Sequence, residues 1–226
     1  MLDERLSLVA AMYEPCEWGA DIGTDHAYLP RHLLKSGICQ QMIAADISEG
    51  ALSNARATLT RAKLLDRAVL TLADGLEAID RPCGCVSITG MGGDLMAALL
   101  RNGANRLQGA VLVLSAHTEL HHVRQAISDI GYHIVREEPC KAAGRFYVCW
   151  RAEPGAEAIS EEERLYGRLL WHSGSPLLAE YAAWRLRVAG KRLKGLQSAA
   201  TPDAEAIRDV EQEIAFYQAK SEVTPC

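Results

Sequence analysis

The sequence predicts an α/β fold, in which a parallel sheet is covered by helices, followed by a C-terminal helical hairpin. Two observations predict it. From residue 1 to about 153, short apolar runs alternate with segments whose apolar residues recur at helical spacing, which is the pattern of a parallel sheet. Beyond Pro154-Gly155 the composition changes to long helical patterns. The predicted domains are therefore 1–155 and 156–226.

Five apolar runs bounded by Gly, Asp or Pro are the strand candidates of the parallel units. They are 17–23, 42–47, 68–73, 85–90 and 110–115. The helix candidates between them are "YLPRHLLKSG", "EGALSNARATLTRAKL", "GDLMAALLRNGANRL" and "ELHHVRQAISDIGY", and three of them reach a Gly near their end. Two extended runs follow, "YHIVREEPCKA" and "RFYVCWRAE", joined by a connection that contains Gly. We expect them to form an antiparallel hairpin at the edge of the sheet.

The C-terminal segment has its own helix signals. Ser160 and Glu163 form a capping box, and Ser175-Pro176 has the pattern of an N-cap followed by proline in the first turn. Apolar residues then recur every three or four positions. They are Leu178, Ala182, Leu186, Ala189, Leu193, Leu196, Ala200, Ile207, Val210, Ile214 and Tyr217. The spacing predicts two antiparallel helices packed along a coiled-coil-like seam, either as a functional extension or as a tail that only adds stability.

Composition limits the class of protein. In 226 residues, 49% are hydrophobic and the net charge is −5, which is ordinary for a folded domain and argues against indiscriminate nucleic-acid binding. The N-terminus lacks the order of a signal peptide, and no apolar run reaches the ~20 residues that span a bilayer. Seven irregularly spaced cysteines favour reduced thiols over disulfides or a metal centre. We therefore expect a cytoplasmic protein without a membrane or metal partner.

The turn after the first strand, "DIGTDHA", carries an acid and a glycine where a ligand of a parallel sheet would bind. Gly23 would let the backbone approach that ligand closely. The turn lacks the second and third glycines of a dinucleotide motif, and Asp21 would repel a pyrophosphate. A carboxylate there suits an amino group or a sulfonium, as in S-adenosylmethionine, although acid-Gly turns also occur for reasons of turn chemistry alone.

Two further acids follow the next two strand candidates. Asp46 stands at the position from which a carboxylate accepts hydrogen bonds from ribose hydroxyls. Asp74, followed by Gly75, could meet the exocyclic amine of an adenine ring. Each acid taken alone is more often a helix N-cap. Three of them on consecutive strands favour a nucleoside ligand.

The motifs "ADIGTDHAYLP", "ADGLEAI" and "ITGMGGDLMAALL" resemble, in this order and approximate spacing, the bacterial tRNA adenine-22 N1-methyltransferases. These enzymes are a branch of the class I S-adenosylmethionine-dependent methyltransferases. The resemblance implies a Rossmann-like, seven-stranded sheet, S-adenosylmethionine as cofactor and tRNA as partner. It implies that the cofactor is held by Asp21, Gly23, Asp46, Asp74, Gly75 and Gly90. It places Met91, Gly92 and Gly93 at the acceptor pocket, together with Ser115 and His117.

One segment departs from this family. Where the family usually has Gln-Pro-Asn after the fifth strand, this chain has Ser115-Ala116-His117, and the hairpin that follows is also altered. Both segments face the acceptor side in such a fold. The sequence therefore supports the cofactor more strongly than the identity of the target base.

Methylation of adenine N1 needs little more than alignment of nucleophile and methyl group, but it leaves a cationic ring. Asp25 and Tyr28, just after the first strand, are the candidates for electrostatic and stacking roles toward that ring, with His26 as a third. The alternative is that Asp25 caps the following helix and Tyr28 packs in the core.

Basic residues are concentrated on the first helix of the predicted hairpin. They are Arg185, Arg187, Lys191, Arg192 and Lys194. If the apolar seam faces the partner helix, these side chains flank it and can reach RNA phosphates. The alternative is a solvated face paired with acids of the second helix, such as Asp209, Glu211 and Glu213.

Two other functions remain compatible with parts of the sequence. A nicotinamide-dependent oxidoreductase would use Asp46 for the adenosine ribose, but it lacks the glycines and a catalytic domain. A non-catalytic RNA- or protein-binding module would use the methyltransferase fold as a platform for the helical hairpin, which the altered segment at Ser115 makes conceivable.

Overall fold

The computed structural model describes residues 2–199 and 201–222, and it divides into two compact units, Met1–Ser173 and Gly174–Cys226. The first unit contains a seven-stranded sheet. Its strands are β1 (Cys16–Ile22), β2 (Cys39–Asp46), β3 (Ala68–Leu72), β4 (Cys85–Thr89), β5 (Val111–Ala116), β6 (Tyr132–Ala142) and β7 (Arg145–Pro154). The predicted hairpin of β6 and β7 is confirmed at the sheet edge.

The strand order is β3-β2-β1-β4-β5-β7-β6, with the first five strands parallel and β7 antiparallel to β5. The predicted fold class is therefore confirmed. From β1 the chain proceeds outward to β2 and β3, and from β4 it proceeds outward in the opposite direction. The order thus reverses between β1 and β4, and the carboxyl ends of these two strands are where a ligand of such a sheet binds.

Helices cover the sheet. They are α1 (Glu4–Ala10), α2 (Tyr28–Ser36), α3 (Glu49–Arg61), α4 (Gly93–Gly103), α5 (Leu120–Asp129) and α6 (Glu161–Tyr166). Every residue of β4 is buried, as expected for a central strand covered on both faces. The predicted capping box of Ser160 and Glu163 is present at the start of α6.

The boundary between the two compact units lies after Ser173, about one helix beyond the predicted boundary at residue 155. Segment 156–173 belongs to the first unit because a buried ion pair holds it there. Arg124 on α5 donates from Nε to Glu137 Oε1 on β6 at 2.8 Å, and its Nη1 donates to the carbonyls of Arg164 and Leu165 at 3.1 Å each. The backbone N–H of Leu170 donates to the other oxygen of Glu137 at 3.1 Å.

The second unit is the predicted helical hairpin, formed by α7 (Leu178–Gln197) and α8 (Ala204–Glu222). Its seam includes buried Ala182, Ala189, Val210 and Tyr217, whereas Ala200 lies outside the described residues. The helix α7 begins later than expected. Its N-cap is Leu177, and the Ser175 hydroxyl accepts from the Leu177 N–H in the turn before the helix.

Among the described residues, no helix is long and apolar enough to cross a membrane.

Candidate functional site

Asp21 lies at the reversal point of the sheet, one residue before the end of β1. It is only 4% exposed and pairs in register with Ser87 of the neighbouring β4. The Ser87 hydroxyl donates to Asp21 Oδ1 at 2.7 Å, and the Tyr13 hydroxyl donates to Ser87 Oγ at 2.7 Å. This buried network holds the carboxyl group in one orientation.

Burial raises the pKa of Asp21 to about 6, because desolvation disfavours the charged carboxylate. The hydrogen bond from the Ser87 hydroxyl and the charge of Arg5 lower the pKa by less than burial raises it. No ion pair reaches Asp21 within the part of the chain that the structure describes. A desolvated carboxylate without an ion pair favours a cationic ligand, because the charge of such a ligand compensates for the solvation that the carboxylate has lost.

Gly23 makes the turn that follows β1. Its φ of +76° is a backbone conformation that residues other than glycine rarely adopt. The N–H groups of Gly23 and Thr24 both donate to the Ala45 carbonyl at 2.9 Å. A Cβ at Gly23 would meet the end of the Met91 side chain at 3.0 Å. The positive φ accounts for a glycine at this position, and its role toward a ligand stays a prediction.

Asp46 ends β2 and is held by backbone N–H groups. Its two oxygens accept from the N–H of Ser48 at 3.0 Å and of Asp25 at 3.3 Å. It is not the N-cap of α3, because the Ser48 side chain has that role. The exposed Ile47 follows it, a large apolar side chain beside the candidate ribose site.

Asp74 follows β3 and precedes a short 3₁₀ helix, Gly75–Ala78, without capping it through its side chain. Its side chain is exposed. Gly75 has φ +54°, and a Cβ there would collide with Leu99 on α4. The alternative that these two acids are only helix caps is therefore wrong for Asp46 and unsupported for Asp74.

The turn that carries the catalytic candidates has an unusual backbone. Asp25 and Ala27 both have positive φ, of 44° and 52°, which is a conformation often found at functional turns. Tyr28 is 44% exposed and stacks on His26 with 5.2 Å between the ring centroids. The N-cap of α2 is Ala27, with no side-chain hydrogen bond. Asp25 is therefore not a cap and Tyr28 is not in the core. In the ligand-free protein Asp25 Oδ2 lies 3.5 Å from His26 Nε2, and the Arg31 guanidinium lies 5.4 Å from the centre of the Tyr28 ring.

The end of β4 and the start of α4 form the next part of the site. Gly90 is exposed with φ +81°, and Met91 and Gly92 are half-buried. Gly93 is buried against the carbonyl oxygens of Thr118 and Glu119, so closely that a Cβ would collide with this backbone. Gly92 and Gly93 thus place the start of α4 against Thr118 and Glu119, which directly follow the segment that departs from the family pattern.

In that segment the structure separates the two predicted acceptor residues. Ser115 is fully buried and accepts a hydrogen bond from Cys149 Sγ at 3.4 Å, so the prediction that it lines an acceptor pocket is wrong. It lies within β5, in register with Cys149 of the neighbouring strand β7. His117 is half-buried, with its ring edge-to-face against Tyr147 at 5.5 Å. Its Nδ1 is buried and makes no hydrogen bond to the described residues.

The basic residues of α7 also divide into two groups. Contrary to the prediction, Arg185 is not available to RNA phosphates. Its Nη2 pairs with Glu213 on α8 at 2.6 Å, and its guanidinium lies over the Tyr217 ring. For this residue the alternative of pairing with the second helix is correct. Arg187, Lys191, Arg192 and Lys194 are exposed, although Arg192 Nη1 also lies 3.8 Å from Glu213.

Three residues of this region were not predicted from the sequence: Arg5, Ser87 and Tyr147. Ser87 had a local signal, because it is the one hydroxyl at the centre of the apolar run "CVSIT". Arg5 lies on α1 and Tyr147 on β7, and the Arg5 guanidinium lies 5.3 Å from the centre of the Tyr147 ring. Neither had a signal in the sequence, since each is brought to the site only by the packing of remote elements.

Together these residues fit a nucleoside that carries an amino group. A buried acid lies beside a glycine turn at the reversal point, and a second acid held by backbone N–H groups ends the adjacent strand. A dinucleotide fits less well, because its pyrophosphate would approach the Asp21 carboxylate.

Residues 2–149 match the family model described as a methyltransferase domain. The tRNA (adenine(22)-N(1))-methyltransferase of Bacillus subtilis (strain 168) is 31% identical over 156 residues, which cover 68% of this chain and 66% of that relative. This chain thus spans slightly less than two thirds of the relative it matches.

Solved structures agree over more of the chain. A candidate tRNA (m1A22) methyltransferase of Streptococcus pneumoniae has a TM-score of 0.88 at 26% identity, covering 98% of this chain and 100% of the other. A second structure of it, in complex with S-adenosyl-L-methionine, has a TM-score of 0.86 with the same identity and coverage. The resemblance of the sequence motifs to methyltransferases is thereby confirmed, and the chain belongs to the methyltransferase-domain family.

Proposed function

We propose that the protein transfers a methyl group from S-adenosylmethionine to N1 of adenine 22 in tRNA. The observation that carries this proposal is the buried Asp21 carboxylate, which forms no ion pair with the described residues and lies beside the Gly23 turn at the reversal point of the sheet. The target base follows from the names of the relatives, of which the Bacillus subtilis protein is a tRNA (adenine(22)-N(1))-methyltransferase. A tRNA substrate also places the reaction in the cytoplasm.

Several residues fit the cofactor. Asp21 would hold the α-amino group, Asp46 the ribose hydroxyls and Asp74 the adenine amine, with Gly23, Gly75 and Gly90 giving the backbone room to approach. When bound, S-adenosylmethionine supplies a methyl group activated by the sulfonium. The protein has mainly to position the two reactants and exclude water.

A base turned out of the tRNA could stack on the Tyr28 ring by displacing His26 or Arg31, which both lie over this ring in the ligand-free protein. Asp25 is the nearest acid in the sequence to that ring. Its side chain is 63% exposed and lies 3.5 Å from His26 Nε2, and it would turn from this contact toward a cationic product ring. Met91, Gly92 and His117 would border the acceptor. The nicotinamide oxidoreductase is less favoured, because the pyrophosphate of its cofactor would approach the Asp21 carboxylate.

The proposal is tested by transfer of tritium from labelled S-adenosylmethionine to unmodified tRNA transcripts. We expect a transcript with adenine at position 22 to be labelled and the same transcript with guanine at position 22 to remain unlabelled, because guanine N1 carries a proton and no lone pair. A transcript changed at another D-arm adenine is the control and should accept label.

Label that persists in the guanine-22 transcript would move the target to another base, consistent with the departure at His117. Binding of tRNA and S-adenosylmethionine without any transfer would instead favour the non-catalytic module.

The exposed basic residues of α7 are proposed to bind tRNA phosphates. Changing Lys191, Arg192 and Lys194 together to Glu should weaken tRNA binding, and each lost phosphate contact should reduce the slope of log affinity against log salt by roughly 0.7 to 0.9. The affinity for S-adenosylmethionine should be unchanged.

The matched control is the same charge change at Lys35, Arg61 and Lys63, which are exposed at or just after the ends of α2 and α3 in the first unit. It tests whether net charge alone weakens the binding. Equal salt slopes in the α7 variant and the wild type would assign these residues to a solvated helix face.

A further inference from the structure

Arg5 on α1 has a buried donor that the fold does not use. The side chain is held by the ring of Tyr147, 5.3 Å from the guanidinium carbon, and it makes no ion pair to the described residues. Its Nη1 is buried and has no hydrogen-bond partner in that part of the chain. An unpaired buried N–H of a charged group costs free energy, so its persistence in a folded protein points to a ligand.

The surroundings of Nη1 indicate where this ligand lies. A Cβ at Gly90 would be 3.9 Å from Nη1, so the guanidinium faces the exposed backbone at the end of β4. β4 is the neighbour of β1 at the reversal point, and Asp21 lies on β1. Although burial raises the pKa of Asp21, the charge of Arg5 lowers it, and yet the two side chains form no ion pair. A cation and an anion thus border the same end of β4 without neutralising each other.

A ligand with both charges on one carbon matches this arrangement. An α-amino acid carries an ammonium and a carboxylate on the same carbon, and a guanidinium is the side chain best suited to a carboxylate because its N–H groups are arranged as a fork. We propose that Arg5 binds the α-carboxylate of the methionine part of the cofactor, while Asp21 binds its α-ammonium. The inference rests on the proposed use of S-adenosylmethionine and adds the residue that binds the α-carboxylate.

The experiment compares two ligands by calorimetry. S-Adenosylhomocysteine carries the carboxylate, and its decarboxylated form keeps the amine but lacks that group. We expect Arg5→Met to raise the Kd of S-adenosylhomocysteine by about 10- to 100-fold, the cost of a charge-assisted hydrogen bond. The Kd of the decarboxylated ligand should change less than about twofold, which also shows that the variant is folded. Arg5→Lys should recover part of the affinity.

Arg61→Met, an exposed arginine in the last turn of α3, is the matched control and should alter neither Kd. Equal losses for both ligands would overturn the inference, because Arg5 would then only shape the site. Unchanged binding of S-adenosylhomocysteine with weaker tRNA binding would also overturn it and assign Arg5 to an RNA phosphate. Failure of the wild-type protein to bind S-adenosylhomocysteine would instead refute the proposed function, and this inference with it.

Discussion

Asp21→Asn is expected to stabilise the ligand-free protein above pH 6 and to weaken its binding of S-adenosylhomocysteine. The pKa of Asp21 is raised from 3.8 to about 6 in the folded state. Because its pKa is raised, protonated Asp21 is favoured in the folded protein over the ionised form. The contribution of Asp21 to the free energy of unfolding is therefore fully present below pH 3.8 and is lost as the pH rises through 6. By this linkage the ionised carboxylate costs at most about 3 kcal/mol at pH 8.

Asparagine remains neutral at every pH and can still accept a hydrogen bond from Ser87, so it avoids this cost. The variant should therefore unfold at a higher temperature than the wild type at pH 8, with the difference shrinking toward pH 4. Its Kd for S-adenosylhomocysteine should rise by about 10- to 100-fold, because the ammonium loses its charged partner.

Asp25→Asn is the control, since it makes the same substitution at a side chain that is 63% exposed. A wild type that is more stable than Asp21→Asn at pH 8 would show that the carboxylate has a partner in the ligand-free fold. Unchanged binding of S-adenosylhomocysteine would remove Asp21 from the amino group.

The second large effect is expected at the buried ion pair of Arg124 and Glu137, whose side chains are 2% and 1% exposed. Arg124→Met should lower the free energy of unfolding by about 3–5 kcal/mol, because it leaves a buried carboxylate without its cation. Glu137 would keep only the hydrogen bonds from Trp150 Nε1 and the Leu170 N–H, at 2.7 and 3.1 Å. Urea denaturation of the full chain measures the change.

Two further variants make this test specific. Arg101→Met breaks a partly exposed pair with Asp129 and should cost less than about 1 kcal/mol. Adding Glu137→Gln to Arg124→Met removes the uncompensated charge while keeping an acceptor for Trp150, so the double variant should be more stable than the single one. Equal stability of Arg124→Met and Arg101→Met would mean that water reaches Glu137.

The order of elements and the acids at strand ends were predictable because they depend on local pattern. An apolar run followed by an acid and a glycine predicts a strand and a ligand turn without reference to any remote residue, and Asp21, Gly23 and Asp46 lie where that reasoning put them. The helical hairpin was also predictable from local pattern, since the spacing of Ala182 and Ala189 indicates which face of α7 is apolar.

The sequence by itself determined the fold class, the two long C-terminal helices and the strand-end positions of the candidate cofactor residues. Only the tertiary structure decided which polar residues are exposed and unpaired, and which are buried or paired within the protein. Periodicity assigns a residue to a face but not to a depth, so it could not separate buried Ser115 and paired Arg185 from exposed Lys191. Arg5 and Tyr147 meet only because α1 packs beside β7, and segment 156–173 joins the first unit only because Arg124 and Glu137 meet in its interior. Such contacts depend on packing between remote segments, and no local pattern in one sequence encodes them.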